Sequence, residues 1–183
     1  KDGRFLSEKP DSQDICFIPD GEYRTYVQGR DARFDNAGQD AAGWILDFTG
    51  MRIGQHNGAW QFTIGQRKGF EVKTTERLYV LAKNTQENTI TVGSIEAAMQ
   101  QNAWLEDVVY SGWPRIPAGS RLQAKIRSAA SPADCTAATL AGDGGDIGIV
   151  FDHPVFAPAP GQSCVLYDGE HIVAGGFIRE RPL

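Results

Sequence analysis

Between Trp104 and Ile178 the chain repeats one pattern: a short run of β-branched, aromatic and aliphatic residues, then a gap that in most cases carries glycine or proline. The runs are WLEDVVYSG, SRLQAKIRS, DCTAATLA, DIGIVFD, QSCVLYDG and HIVAGGFI. Strands at this regular spacing, with no helical period between them, predict an antiparallel sandwich or a small barrel. A barrel is favoured, because closure leaves no sheet edge exposed. The glycines of GDGGD are followed by no helix, so they fit a tight hairpin better than a phosphate cradle.

The same reading extends upstream. WILD, AWQFTI, RLYVLA and TITVGS predict strands, with Leu78–Ala82 and Thr89–Val92 forming a hairpin across KNTQEN. Ile95–Gln101 suits a helical turn, which places a domain boundary near residue 100. Residues 1–19 are polar, and Pro10 and Pro19 restrict the backbone on both sides of Ile15-Cys16-Phe17-Ile18, so an extended segment with a brief strand is expected. Asp20 as an N-cap, Glu22 in the first turn, Tyr23, Tyr26 and Val27 at helical spacing and Gly29 as a stop predict one short helix. The expected organisation is mainly β: a connecting segment at 1–19, a small central β-rich domain at 20–100, and an antiparallel β-barrel at 101–183.

Several classes of function are disfavoured at this level. With 41% hydrophobic and 22% charged residues the chain has a globular composition, and no apolar run approaches the roughly 20 residues of a membrane helix. No membrane partner is expected. Cys16, Cys135 and Cys164 are odd in number and form no CxxC pair, which predicts reduced thiols and a cytoplasmic location. The first residue is Lys1 rather than Met, so the start reads as a cut, whether made by design or inherited from a longer parent. Neither GxxxxGK[ST] nor GxGxxG occurs in a strand-to-helix setting. His56, His153 and His171 lack ligand spacing, so no metal is expected and each reads as a solvated or hydrogen-bonded histidine.

The net charge of −5 gives no whole-chain attraction to phosphate, so a nucleic-acid contact must come from a local patch. Two spots qualify. Gln66, Arg67 and Lys68 sit between Gly65 and Gly69, where a turn would present two cations while the glycines allow close approach; an ordinary charged hairpin tip fits the spacing equally well. Lys125 and Arg127, two apart on an expected strand, face the same way. Taken alone, Cys16 between Ile15 and Phe17 reads as a packed thiol, since its neighbours Asp11, Asp14 and Asp20 would raise a thiol pKa rather than activate it.

The stretches KPDSQDICFIPDGEYRTYV, GQHNGAWQFTIGQRKGF, ERLYVLAKN and VFDHPVFAPAPGQSCVLYDG, with GGFI after the last, span nearly the whole chain. In this order they resemble the bacterial tRNA-uridine 2-sulfurtransferases, or tRNA 2-thiouridylases. The resemblance implies a three-part enzyme whose amino-terminal domain, lying outside this sequence, uses ATP with magnesium to adenylate the wobble uridine of certain tRNAs before sulfur replaces the activated oxygen. It implies that the present residues supply the connecting segment, the central domain and a barrel similar to the second domain of elongation factor Tu, with no cofactor bound by this chain. It assigns to Cys16, the cysteine of DICFI, a persulfide received from a sulfur-relay donor protein, which reverses the packed-thiol reading. It also implies tRNA contact at Arg127, at the position of Ser128, and at Gln162 of the PGQ motif. Here the family's KxRYR-like strand reads Lys125-Ile126-Arg127-Ser128-Ala129, so a tyrosine and an arginine are missing. Arg67 and Lys68 are weaker candidates for the same role. Cys135 and Cys164 match no catalytic motif and are expected in barrel strands. A stand-alone RNA-binding or protein-docking β module without sulfur chemistry is the rival reading. A methyltransferase reading is set aside because no glycine-rich cofactor loop opens a βαβ unit.

Overall fold

A computed structural model describes residues 42–128, 130–141 and 145–180. The helix expected after Asp20 and the strand expected around Cys16 lie outside the described residues. So do the first three residues of GDGGD.

The first described element is a hairpin built around an aspartate. Strands β1 (Ala42–Leu46) and β2 (Arg52–Asn57) pair antiparallel. The Asp47 carboxylate closes their turn by accepting from Thr49 N, Thr49 Oγ1 and Met51 N at 2.8, 2.6 and 3.0 Å. The bond from the Thr49 side chain is the main reason that its pKa falls below the usual 3.8. β3 (Tyr79–Asn84) and β4 (Thr89–Gly93) form the hairpin expected across KNTQEN. β4 then lies parallel to β1, with Trp44 opposite Thr89 and Ile45 opposite Ile90. The result is a mixed sheet in the order β2-β1-β4-β3. Its core consists of Ile45, Val80, Ile90 and Val92, with Ala59 and Phe62 packed on them.

Two sequence expectations change here. RIGQHN, too polar to stand out as a strand in the sequence, is strand β2; it is the edge strand, and of its residues only His56 is buried. AWQFTI, expected as a strand, is not one. Gly58 turns the chain at φ 100, the Asn88 side chain accepts the Ala59 N–H at 2.8 Å, and Ala59–Gln61 winds into a single 3-10 turn. The segment then travels to the far edge of the sheet, where Gly65 N donates to Val80 O at 2.7 Å and Val80 N to Gln66 O at 2.9 Å. Its apolar residues cover the sheet instead of joining it.

The sheet passes directly into the second half. A one-turn helix α1 (Ile95–Ala98), capped by the Ser94 hydroxyl accepting from Ala97 N, leads straight into β5 (Met99–Tyr110). β5, β6 (Ser120–Lys125), β7 (Ala133–Thr139), β8 (Ile147–Phe156), β9 (Ser163–Asp168) and β10 (His171–Ile178) close into a barrel in the order β10-β5-β8-β7-β6-β9. Each neighbouring pair is antiparallel. At the GDGGD hairpin, β7 and β8 are joined by Leu140 N donating to Asp146 O at 2.7 Å. Alternate residues point inward, as a small barrel filled by its own side chains requires. Phe151, Leu105, Ile147, Ile149, Leu166, Cys135 and Cys164 are all fully enclosed. The chemistry of this barrel must therefore lie on its outer surface or at its ends. Ala42–Leu183 is one compact unit, so the sheet and barrel pack together.

Phe151→Ala removes a ring at the middle of this core and should lower stability by about 3–5 kcal/mol. Urea unfolding followed by circular dichroism measures it, and a loss under about 1 kcal/mol would contradict a packed barrel interior.

Candidate functional site

The loop from Thr63 to Gly69 is held rigidly enough to present its cations in fixed positions. Gly65 and Gly69 take φ values of 85° and 95°, a left-handed region that favours glycine. Between them the Gln66 side chain braces the loop internally: its Oε1 accepts from Thr63 N at 3.0 Å and its Nε2 donates to Lys68 O at 2.7 Å. Lys83 Nζ, reaching from β3, donates to Phe62 O at 3.1 Å. Arg67 and Lys68 are left exposed at the tip. Since the loop crosses the sheet rather than joining two strands, the hairpin-tip alternative does not apply.

Gly65 has a second role that the sequence did not suggest. A Cβ built on it would lie 2.9 Å from Ala157 Cβ, 3.1 Å from Phe156 Cε1 and 3.3 Å from Arg127 Nη2. Backbone of the sheet's loop thus lies against the end of β8. Tyr79 of β3 packs edge-on against Phe156 at 5.3 Å. Ala157 is itself held in the left-handed region, at φ 45, with its N–H donating to Ala98 O at 2.9 Å and its carbonyl accepting from Arg127 Nη2 at 2.7 Å. A non-glycine residue there costs on the order of 1 kcal/mol, and the two bonds hold it in place.

Arg127 is the residue that joins these parts. It lies in the bend after β6, not on the strand, so the expectation that it shares a strand face with Lys125 is corrected. Its guanidinium turns toward the sheet and passes over the Phe156 ring at 5.5 Å. Ser128 beside it is exposed. On the same side of the barrel, Ala159-Pro160-Gly161-Gln162 forms a tight turn in which Gln162 N donates to Ala159 O at 3.1 Å and Gly161 takes φ 82. Gln162 then borders a cavity of about 290 Å³ whose other wall includes Thr63, Ile64 and Lys83. A second cavity of about 380 Å³, lined by Gln100, Trp104 and Arg179, shares Ile64, Ala82, Pro160 and Glu180 with the first. Together they form one groove along the junction of sheet and barrel. Gln162 Oε1 and Arg179 Nε on this groove, and Arg127 Nε at the contact with β8, are buried without hydrogen-bond partners.

The fold therefore brings the Gly65–Gly69 loop, Arg127 and Gln162 to one seam. Sequence reasoning named the cations, Arg127 and Gln162 but missed Phe156, Ala157 and Trp104. Only the APAPG run, with prolines too dense for a regular strand, hinted that the chain departs from the barrel at that point. Cys16 is outside the described residues. Cys135 and Cys164 lie buried in β7 and β9, as expected. Burial pushes their thiols up to about 11 and about 12. His153 and His171 are exposed, but His56 is neither solvated nor hydrogen-bonded and departs from the expectation. Among the described residues no group of three or more His, Cys, Asp or Glu is placed to hold a metal.

Two family models match the chain: the tRNA methyl transferase PRC-barrel domain over residues 34–94 and the aminomethyltransferase beta-barrel domain over residues 100–178. The tRNA-specific 2-thiouridylase MnmA of Acidobacterium capsulatum is 38% identical over 178 residues, covering 94% of this chain and 47% of that protein. The enzyme of the same name from Magnetococcus marinus is 39% identical over 181 residues, 96% of this chain and 47% of the relative. The one from Clostridioides difficile is 35% identical over 178 residues, 97% and 47%. The chain belongs to the tRNA-specific 2-thiouridylase family. It spans about half the length of these curated relatives. In this thiouridylase-family chain the first matched domain contains the mixed sheet with its basic loop, and the second contains the barrel with Arg127 and Gln162.

Gly65→Ala should weaken the seam, because a left-handed alanine is strained and its methyl group meets Ala157; a loss of about 1–3 kcal/mol is expected in thermal or urea unfolding. Alkylation of the native chain at neutral pH, read by mass spectrometry, should leave Cys135 and Cys164 unmodified until denaturant is added. Rapid native labelling of either would contradict the packed barrel.

Proposed function

We propose that this chain is the part of a tRNA 2-thiouridylase that holds the tRNA and carries the sulfur to be transferred. The observation that supports it most is the convergence, on one seam, of three separate family motifs: the basic loop, the Arg127 bend and the PGQ turn. Each has a physical role in RNA binding. Arg67 and Lys68 offer charge to backbone phosphates without reading sequence. The groove next to them is bordered by the Gln162 amide and by Trp104, which suit a base edge and a base face respectively. Arg127 divides its guanidinium between the Ala157 carbonyl and whatever polar group enters the seam. At Ser128 a hydroxyl stands where a stacking ring is expected, so this spot contributes less than in relatives that keep the aromatic residue.

In this reading Cys16 is the sulfur carrier. The terminal sulfur of a donor protein's persulfide is attacked by the Cys16 thiolate; the new S–S bond forms as the old one breaks, and the donor departs as its own thiolate with no net oxidation. Activation of the wobble uridine, with ATP and magnesium, belongs to a domain outside these residues. The described residues are poorly suited to binding a nucleotide, since the one helix among them, Ile95–Ala98, has four residues and follows no glycine-rich loop. The partners are tRNA and a sulfur-relay donor, and the compartment is the cytoplasm.

Exposure of the chain to a small-molecule persulfide donor should add the mass of one sulfur atom to Cys16, and Cys16→Ser should abolish the addition. Preferential modification of Cys135 or Cys164 would sink the sulfur role and leave an RNA-binding module. By fluorescence anisotropy, the Arg67→Ala, Lys68→Ala double variant should bind tRNA more weakly, and the slope of log affinity against log salt should fall by about one to two. An unchanged slope would remove the loop from the interface. The chain alone, given ATP, tRNA and donor, should form no 2-thiouridine.

A further inference from the structure

Beneath the basic loop stands a histidine that the proposed function does not yet use. His56 on β2 is 6% exposed, and neither Nδ1 nor Nε2 has a hydrogen-bond partner. Room for its ring comes from Gly43 on β1, where a Cβ would fall 2.4 Å from the imidazole Cε1 and 2.8 Å from Nε2. The imidazole meets Phe62 edge-on, with centroids 5.2 Å apart and planes at 69°. Phe62 in turn meets Phe70 edge-on at 6.1 Å and 63°. These two phenylalanines flank the Thr63–Gly69 loop, so their contact closes its base. His56 is the prop under the first of them.

A buried polar ring without partners costs about 1–3 kcal/mol, which an apolar side chain of similar shape would avoid. The imidazole differs from such a side chain in being able to take up a proton. Burial holds its pKa below the ordinary 6.5, with the Trp44 backbone pulling more weakly the other way. No charged side chain among the described residues acts on it, whether from β1, from β2, from the Gly58–Phe62 turn or from the Asn88 region. A proton on His56 would therefore find no counter-charge among the described residues, and only the Trp44 backbone to offset in part the cost of burial.

We propose that His56 is a positioning residue for the basic loop: as a neutral ring it holds Phe62, and with it the placement of Arg67 and Lys68, and protonation releases the loop. The link to tRNA rests on the function proposed above, whereas the coupling of His56 to the loop does not. Because the folded state disfavours the proton, the stabilisation is complete above about pH 6.5 and is lost as the pH falls from there toward the lower folded value.

The test is a titration of the full chain by heteronuclear NMR from about pH 8 to about pH 5, with tRNA affinity measured at the same points. The His56 imidazole should titrate below 6.5, and the amides of Gly65, Gln66 and Gly69 should move with the same midpoint while those of Ala137 and Leu166 in the barrel stay fixed. Affinity for tRNA should fall on the order of tenfold across that midpoint, as expected when two cations lose their positions. His56→Phe keeps a ring against Phe62 and should abolish the loop's pH response. Loop amides that stay still while His56 titrates, or that keep their response in His56→Phe, would overturn the proposal. If that variant does not fold, the two midpoints in the unaltered chain decide the matter alone. A loop that follows His56 in a chain binding no tRNA at any pH would sink the tRNA reading and leave the coupling standing.

Discussion

No side chain fits at position 65, and much of the arrangement around the seam follows from that. With only a hydrogen on its α-carbon, the loop of the mixed sheet can lie directly on Ala157 and Phe156, which brings Arg127 within reach of the Ala157 carbonyl. The same close approach places Ile64 opposite Pro160 and gives the groove both of its walls. A bulkier residue would move the loop away from the barrel, and Thr63 and Ile64 would no longer face Gln162 across one groove. The packing that joins the two halves and the geometry that makes a binding site are thus one set of contacts.

The barrel was legible because its signal is redundant. Six runs with inward alternation and turn residues in the gaps each point to strands, and closure follows from the need to remove sheet edges. The mixed sheet was harder to read. Its edge strand RIGQHN buries little and so lacks the apolar alternation that marks a strand, while AWQFTI has that alternation but uses it to cover the sheet from above. Periodicity reports which residues meet a core, not whether their backbones pair.

The site was legible in part for a similar reason. Arg67, Lys68 and Gln162 stand out by residue type, and family motifs surround each of them. The inward turn of Arg127 depends on a carbonyl thirty positions away, in a residue with unusual backbone geometry, and no local pattern encodes that. His56 looked like any isolated histidine; only its enclosure by Gly43 and Phe62 distinguishes it. Cys135 and Cys164 were legible as strand residues from the apolar runs around them, and burial in the barrel pushes both thiols up.

The order of strands around the barrel has a consequence for biosynthesis. β10, the last of the six to emerge from a ribosome, is the strand that sits between β9 and β5 and completes the ring. Until it arrives, the nascent sheet has two open edges, one of them the long β5 strand. A nascent chain that has β5 to β9 outside the ribosome while β10 is still enclosed would hold a nearly complete, edge-exposed sheet, the kind of surface that pairs with a neighbouring chain on the same message. Prompt delivery of eight residues separates a sealed domain from an adhesive one.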